Sequence, residues 1–158
     1  LKNGLNKRAV EKEGVQRLLE KLGCRDLEIR YKETGQPYFR QKPELFLSVS
    51  HAKGWYAVSI GKEPVGVDIE PFSLRLKQGQ DYFRNARELS FSGDETALQL
   101  IWGAKEAFYK WKEGQIADLK EEVTLISILE DYLVIEFESD KHELGFRVFE
   151  DVFLVFTR

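Results

Sequence analysis

The chain has 158 residues, 42% hydrophobic and 32% charged, the balance of one globular domain or of two small halves sharing a core rather than of a disordered segment. A net charge of −3 and a pI near 5.6 exclude the basic surface that broad phosphate-backbone binding requires, so no nucleic-acid partner is expected. Cys24 is the single cysteine and His51 and His142 are the two histidines, which excludes an internal disulfide and leaves too few ligands for a zinc cluster.

The longest apolar runs are strand-length, so no membrane-spanning helix is expected. The sequence opens without a secretory signal, and together with the lone cysteine this points to the cytoplasm. No Met occurs, an initiator included, so residues beyond those of the chain are expected.

Residues 7–22, KRAVEKEGVQRLLEKL, place Val10, Val15, Leu18, Leu19 and Leu22 at helical spacing, and Gly23 supplies a stop. LEIRY (27–31) reads as a strand and ETGQP (33–37) as a turn. ELFLSVS (44–50) and WYAVSIG (55–61) are two strands around the turn HAKG, and PVGVDIEP (64–71) is a third, bracketed by prolines. From Leu74 to about Ser92 the pattern is mostly helical. The longest helix is ETALQLIWGAKEAFYKWKEG (95–114), ended at Gly114. Four strand-like runs follow, VTLISILE, YLVIEFES, LGFRVFE and VFLVFTR, joined by polar turns in the manner of an antiparallel meander. Helix then strands before Pro64 and helix then strands after it form a weak internal echo, which two packed α+β halves, 1–63 and 64–158, would explain.

Two stretches carry chemistry. In VGVDIE the side chains alternate, so Val65, Val67 and Ile69 face one way and Gly66, Asp68 and Glu70 the other. The two acids then lie about 6.5 Å apart along the strand, close enough to share a cation, and Gly66 lets something approach the backbone closely. A polar strand facing water has the same pattern. In WGAKEAFYK, Trp102, Glu106 and Lys110 fall four apart on one helix face. A solvated Glu106–Lys110 pair worth about 0.3–0.5 kcal/mol is the plain alternative. Gathered in one pocket, Asp68, Glu70 and Glu106 would repel, and a divalent cation would remove the conflict. All-oxygen donors without a His or Cys cluster favour Mg²⁺, and Lys110 would then face a phosphate oxygen. Ser50 and His51 are adjacent on a strand, point to opposite faces, and make no nucleophile–base dyad. His51 fits a phosphate contact or a turn cap equally well. Lys53, in the turn, reads as solvated. Walker and G-x-G-x-x-G loops are absent.

VGVDIE followed by WGAKEAFYK resembles the two signature motifs of the 4′-phosphopantetheinyl transferases, and TGQPYF and LSVSHAKGW resemble two upstream motifs of the surfactin-type branch, all in family order across residues 33–111. The resemblance implies a monomer of two similar α+β halves in pseudo-twofold arrangement, with antiparallel sheets and the active site in the cleft between them. It implies a holo-carrier-protein synthase, moving the phosphopantetheine arm of coenzyme A onto a serine hydroxyl of an apo acyl carrier protein or peptidyl carrier domain. Carried onto this chain, Asp68, Glu70 and Glu106 would be Mg²⁺ ligands and Glu106 the general base. Lys110 and His51 would hold the pyrophosphate, with help from Lys105. Ser50 and the turn Gly35, Gln36 and Pro37 would seat the nucleotide. Gln36 departs from the basic residue usual at its position, and the amino-terminal half is short for this branch.

Two rival readings remain. A metal-dependent nuclease also uses D-x-E carboxylates, but commonly with a Lys two residues beyond the second acid, where this chain has Phe72. A non-catalytic interaction domain of the same fold would have no reason to keep Asp68, Glu106 and Lys110 together.

Overall fold

The computed structural model describes residues 6–91 and 93–158. Helix α1 spans Lys7–Lys21, and the Asn6 side chain caps it by accepting from the Arg8 amide. It stops where Gly23 takes a φ of +74°, a conformation that glycine adopts without strain. Strands β1 (Ile29–Tyr31), β2 (Pro37–Phe39), β3 (Phe46–Ala52) and β4 (Trp55–Gly61) then form an antiparallel sheet in chain order. Val15 and Leu19 of α1 meet Phe39 and Leu47 of the sheet in a first core.

A second sheet begins with β5 (Val67–Pro71). The segment expected as mostly helical is instead helix α2 (Leu74–Gln78) followed by 3-10 turns at Gln80–Tyr82 and Ala86–Phe91. Ser92 lies outside the described residues. The long helix α3 runs Glu95–Trp111, with Asp94 as its cap, and a short α4 covers Leu119–Glu122. Strands β6 (Thr124–Ile128), β7 (Tyr132–Phe137), β8 (Asp140–Val148) and β9 (Val152–Thr157) make the expected meander, and β5 joins it at β9, giving the order β5-β9-β8-β7-β6 with all pairs antiparallel. The fold is therefore α+β with two antiparallel sheets, which divide between Gly61 and Val67.

Helix α3 covers the second sheet, and Phe108, wholly buried, packs edge-on against Trp111 and Phe137. Burying a side chain of that size contributes about 1.5–3 kcal/mol. The seating is close. A Cβ at Gly66 of the β5 approach would fall 1.9 Å from the Ala107 carbonyl oxygen, and one at Gly103 would fall 2.6 Å from the Phe153 ring. What approaches the backbone at Gly66 is thus the chain's own helix.

Strand β5 is an edge strand, and an edge leaves amides and carbonyls without ladder partners. Here β3 satisfies two of the amides with side chains. The Val67 amide donates to Ser48 Oγ at 3.1 Å and the Ile69 amide to Ser50 Oγ at 3.2 Å. Two serines with the period of a strand dock onto two amides of the same period, and the two sheets join there.

Candidate active site

Asp68 lies at this joint, 2% exposed. Its Oδ1 accepts from Ser50 Oγ at 3.0 Å and from Lys110 Nζ at 2.8 Å, and Lys110 also donates to the Val67 carbonyl at 3.0 Å. Its Oδ2 is buried with no hydrogen-bond partner among the described residues. A carboxylate oxygen so placed loses its water without replacement, a state that a cation would relieve.

Two further carboxyls share this neighbourhood. Burial, followed by the charge of Asp68, pushes Glu70 up to about 7; Glu106 adds to the rise, while Lys110 and Lys53 oppose it. Burial and then Asp68 likewise raise Glu106, opposed by Lys110. Helix α3 brings Glu106 and Lys110 to the cluster through its four-residue spacing, and β5 brings Asp68 and Glu70 through its two-residue spacing. Lys110 pairs with Asp68, not with Glu106 as the solvated-helix alternative had it. Among the described residues, no three His, Cys, Asp or Glu groups stand in position to hold a metal ion as placed.

Lys53 is exposed in its turn, as expected, and its charge is the weakest of those acting on Glu70. The turn is shorter than HAKG: His51 and Ala52 belong to β3, Ala52 pairs with Trp55, and Lys53-Gly54 alone make the loop, with Lys53 at φ +47°. The two-residue hairpin fixes the register of β3, and Ser50 on that strand faces Asp68.

Lys105 and Ser50 have partners other than those expected. Lys105 does not face the cluster. It is 1% exposed, paired at 3.0 Å with Glu88, which has no exposure at all, and it donates to the Lys120 carbonyl at 2.8 Å. Burial lowers its pKa, and the charge of Glu88 opposes this. Helical spacing carried the signal: Lys105 lies four beyond Ile101 and three before Phe108, both buried. Ser50 is buried, with its hydroxyl engaged by Asp68 and the Ile69 amide, so it joins β3 to β5 and has no free hydroxyl for a nucleotide. His51 and Lys110 have different neighbours. The alternation of β3 sends Ser50 to Asp68 and His51 to the other face, where Nδ1 lies 3.6 Å from Glu11. There His51 borders a groove of about 990 Å³ between α1, β1 and β3, with Arg8, Lys12, Arg25 and Arg30 among its lining.

The turn residues lie elsewhere. Gly35 is exposed at φ +84°. Gln36 Nε2 donates to Glu113 Oε1 at 2.6 Å, tying the turn to the carboxyl end of α3. Pro37 and Gln36 border a second hollow of about 360 Å³ that also includes Lys32 and Glu113. His142 packs on Trp111 and Phe108, and burial followed by Lys112 lowers its pKa.

Among the described residues, no helix is long and apolar enough to cross a membrane. No family model matches the chain. An 82-residue segment, 48% of the chain, is 29% identical to the 4′-phosphopantetheinyl transferase psf-1 of Bacillus pumilus and covers 35% of that protein, so the match spans about a third of that curated relative's length.

Proposed function

We propose that the chain carries the active site of a 4′-phosphopantetheinyl transferase of the surfactin-type branch, which moves phosphopantetheine from coenzyme A to a serine of an apo acyl or peptidyl carrier. The observation that carries this reading is the buried Asp68 carboxylate, one oxygen held by Lys110 and Ser50 and the other orphaned. The partial likeness to a named transferase supports it.

The donor set fits Mg²⁺. Asp68 offers an unpartnered oxygen, and Glu70 and Glu106 are carboxyls that burial and mutual repulsion leave needing a positive partner. Asp68, Glu70 and Glu106 are the residues that would hold the ion, and it would supply charge neutralisation at the pyrophosphate. The rest is the work of the chain. Lys110 stands on Asp68 and would meet the charge that develops on the leaving phosphate. Glu106, its affinity for a proton raised, suits removal of the proton from the incoming serine hydroxyl. That oxygen bonds to the phosphorus bearing the pantetheine arm, the bond from this phosphorus to the bridging oxygen breaks, and adenosine 3′,5′-bisphosphate leaves. The groove beside His51 mixes Arg8, Lys12, Arg25 and Arg30 with Glu11, Asp26 and Glu28 and does not include the carboxylate cluster, so no phosphate is assigned to it.

Incubation with coenzyme A, Mg²⁺ and a panel of apo carriers, read by mass spectrometry, tests the proposal. Modification of one carrier serine is the expected result, and no modification of any carrier overturns it. A second reading, a non-catalytic domain of the same fold, is favoured by the lack of a ready three-carboxylate cluster among the described residues. Titration with Mg²⁺ and coenzyme A separates the two, since only the enzyme binds both together.

A further inference from the structure

Glu88 is an acid in the core. Its Oε2 accepts from the Asn85 amide at 2.9 Å and its Oε1 from the Leu125 amide at 2.7 Å. Lys105 Nζ completes its partners at 3.0 Å. Asn85 extends the network, donating from Nδ2 to the Lys120 carbonyl at 3.0 Å and to Thr124 Oγ1 at 2.9 Å. One lysine of α3 is thereby tied to the 3-10 turn at 86–91, to α4 and to β6.

A buried ion pair is weak evidence for stability, because desolvation offsets much of the attraction and an apolar replacement often serves as well. Its value lies in direction. Where α3 meets β5 and β9 it presents Ala107 and Gly103, contacts close enough to fix distance. Elsewhere on α3, Leu98, Leu100, Ile101 and Phe108 lodge in the core and hold the helix in place, and the bond from Lys105 to Glu88 adds a directional tie at one angle about its axis. Lys105 is the residue before Glu106, and about 100° of turn separates neighbours on a helix. Holding Lys105 on Glu88 therefore fixes where Glu106 and Lys110 point.

We infer that Glu88 and Lys105 are positioning residues for the active site, a pin that sets the rotation of α3 so that Glu106 and Lys110 face Asp68; the inference rests on the proposed transferase reading.

The test is the double variant Glu88→Gln with Lys105→Met, which removes both charges and leaves no lone ion in the core. Leu133→Ala, wholly buried in β7 and with no side-chain polar group, is the stability control. With folded protein assured by its melting curve, the double variant should lose roughly tenfold or more in kcat. It should also need about tenfold more Mg²⁺ for half-maximal rate, while KM for coenzyme A stays within about twofold. Leu133→Ala should lose melting temperature but keep kcat per folded molecule. A crystal structure of the double variant should show the Lys110–Asp68 contact, now 2.8 Å, broken. Retention of that contact, or of normal kcat and Mg²⁺ dependence, overturns the inference, as does an equal kcat loss in Leu133→Ala. If wild-type protein modifies no carrier yet the contact is lost in the variant, the transferase reading fails and the pin stands.

Discussion

Lys110 Nζ of α3 stands 2.8 Å from Asp68 Oδ1 of β5, beside the joint where Ser50 of the other sheet also reaches Asp68. The pair therefore links architecture and proposed chemistry, and a change to either residue should register in both. Lys110→Met removes a charged donor from a carboxylate that is 2% exposed. Loss of a hydrogen bond to a charged group costs about 1.5–3 kcal/mol. The denaturation midpoint should fall accordingly, and kcat should drop by roughly 10²-fold or more if the ammonium meets the leaving phosphate. A solvated surface pair would lose a few tenths of a kcal/mol and no rate. Chemical denaturation beside a transfer assay decides between them.

Asp68 raises the proton affinity of both Glu70 and Glu106. Asp68→Asn keeps the shape and removes the charge. Both glutamates should then titrate at lower pH, a shift visible in carbon NMR of their carboxyls, and Mg²⁺-dependent transfer should be abolished. Unmoved titrations would show that the three carboxyls do not share one field.

Much of this arrangement is legible in the sequence, and the remainder is hidden for physical reasons. Strand β4 and the meander are readable because period-two patterns and polar turns are local signals. The addition of β5 to β9 is a pairing of residues far apart in the chain, which periodicity does not encode. The stretch 74–91 has helical spacing but breaks into short turns, because Phe83, Asn85 and Glu88 are all drawn inward, the last two as polar partners of α3, α4 and β6. A glutamate ordinarily marks a solvated face, so nothing local reveals that Glu88 is interior. The carboxylates Asp68, Glu70 and Glu106 were nominated by spacing, but the roles of Ser50 and Lys105 depend on which face of β3 and α3 turns toward a partner.

Glu70 gives a pH signature. Its folded pKa of about 7 lies above the ordinary value of 4.5. A raised carboxyl binds its proton more tightly in the folded state, so its contribution to stability is complete below about pH 4.5 and is lost as pH rises through about 7. Relative to Glu70→Gln, the wild-type protein without metal should become progressively less stable across this window. Because Glu70 is only half-buried, solvent screening should hold the change to about 1 kcal/mol. Millimolar Mg²⁺ above pH 7 should reverse it if the ion binds the ionised carboxyl. A pH-independent difference between the two proteins would show that Glu70 titrates normally.

The last expectation concerns Gln36, where a lysine would appear to add a phosphate contact. The structure changes the outcome. Gln36 Nε2 already donates to Glu113 Oε1 at 2.6 Å, and Lys32 lies 3.7 Å from the same oxygen. A lysine at 36 would be captured by Glu113 before it met a ligand, giving a partly exposed ion pair worth at most about 1 kcal/mol. Gln36→Lys alone should therefore leave KM for coenzyme A nearly unchanged and raise the melting temperature slightly. Gln36→Lys combined with Glu113→Gln frees the ammonium. If residue 36 borders the nucleotide, the double variant should lower KM for coenzyme A several-fold relative to Glu113→Gln alone, with a smaller gain for dephospho-coenzyme A if the contact is to the 3′-phosphate. A several-fold fall in KM from Gln36→Lys by itself would show that Glu113 does not hold the side chain in solution. No fall in either background would mean that the turn ties the two sheets together through α3 and does not touch the ligand.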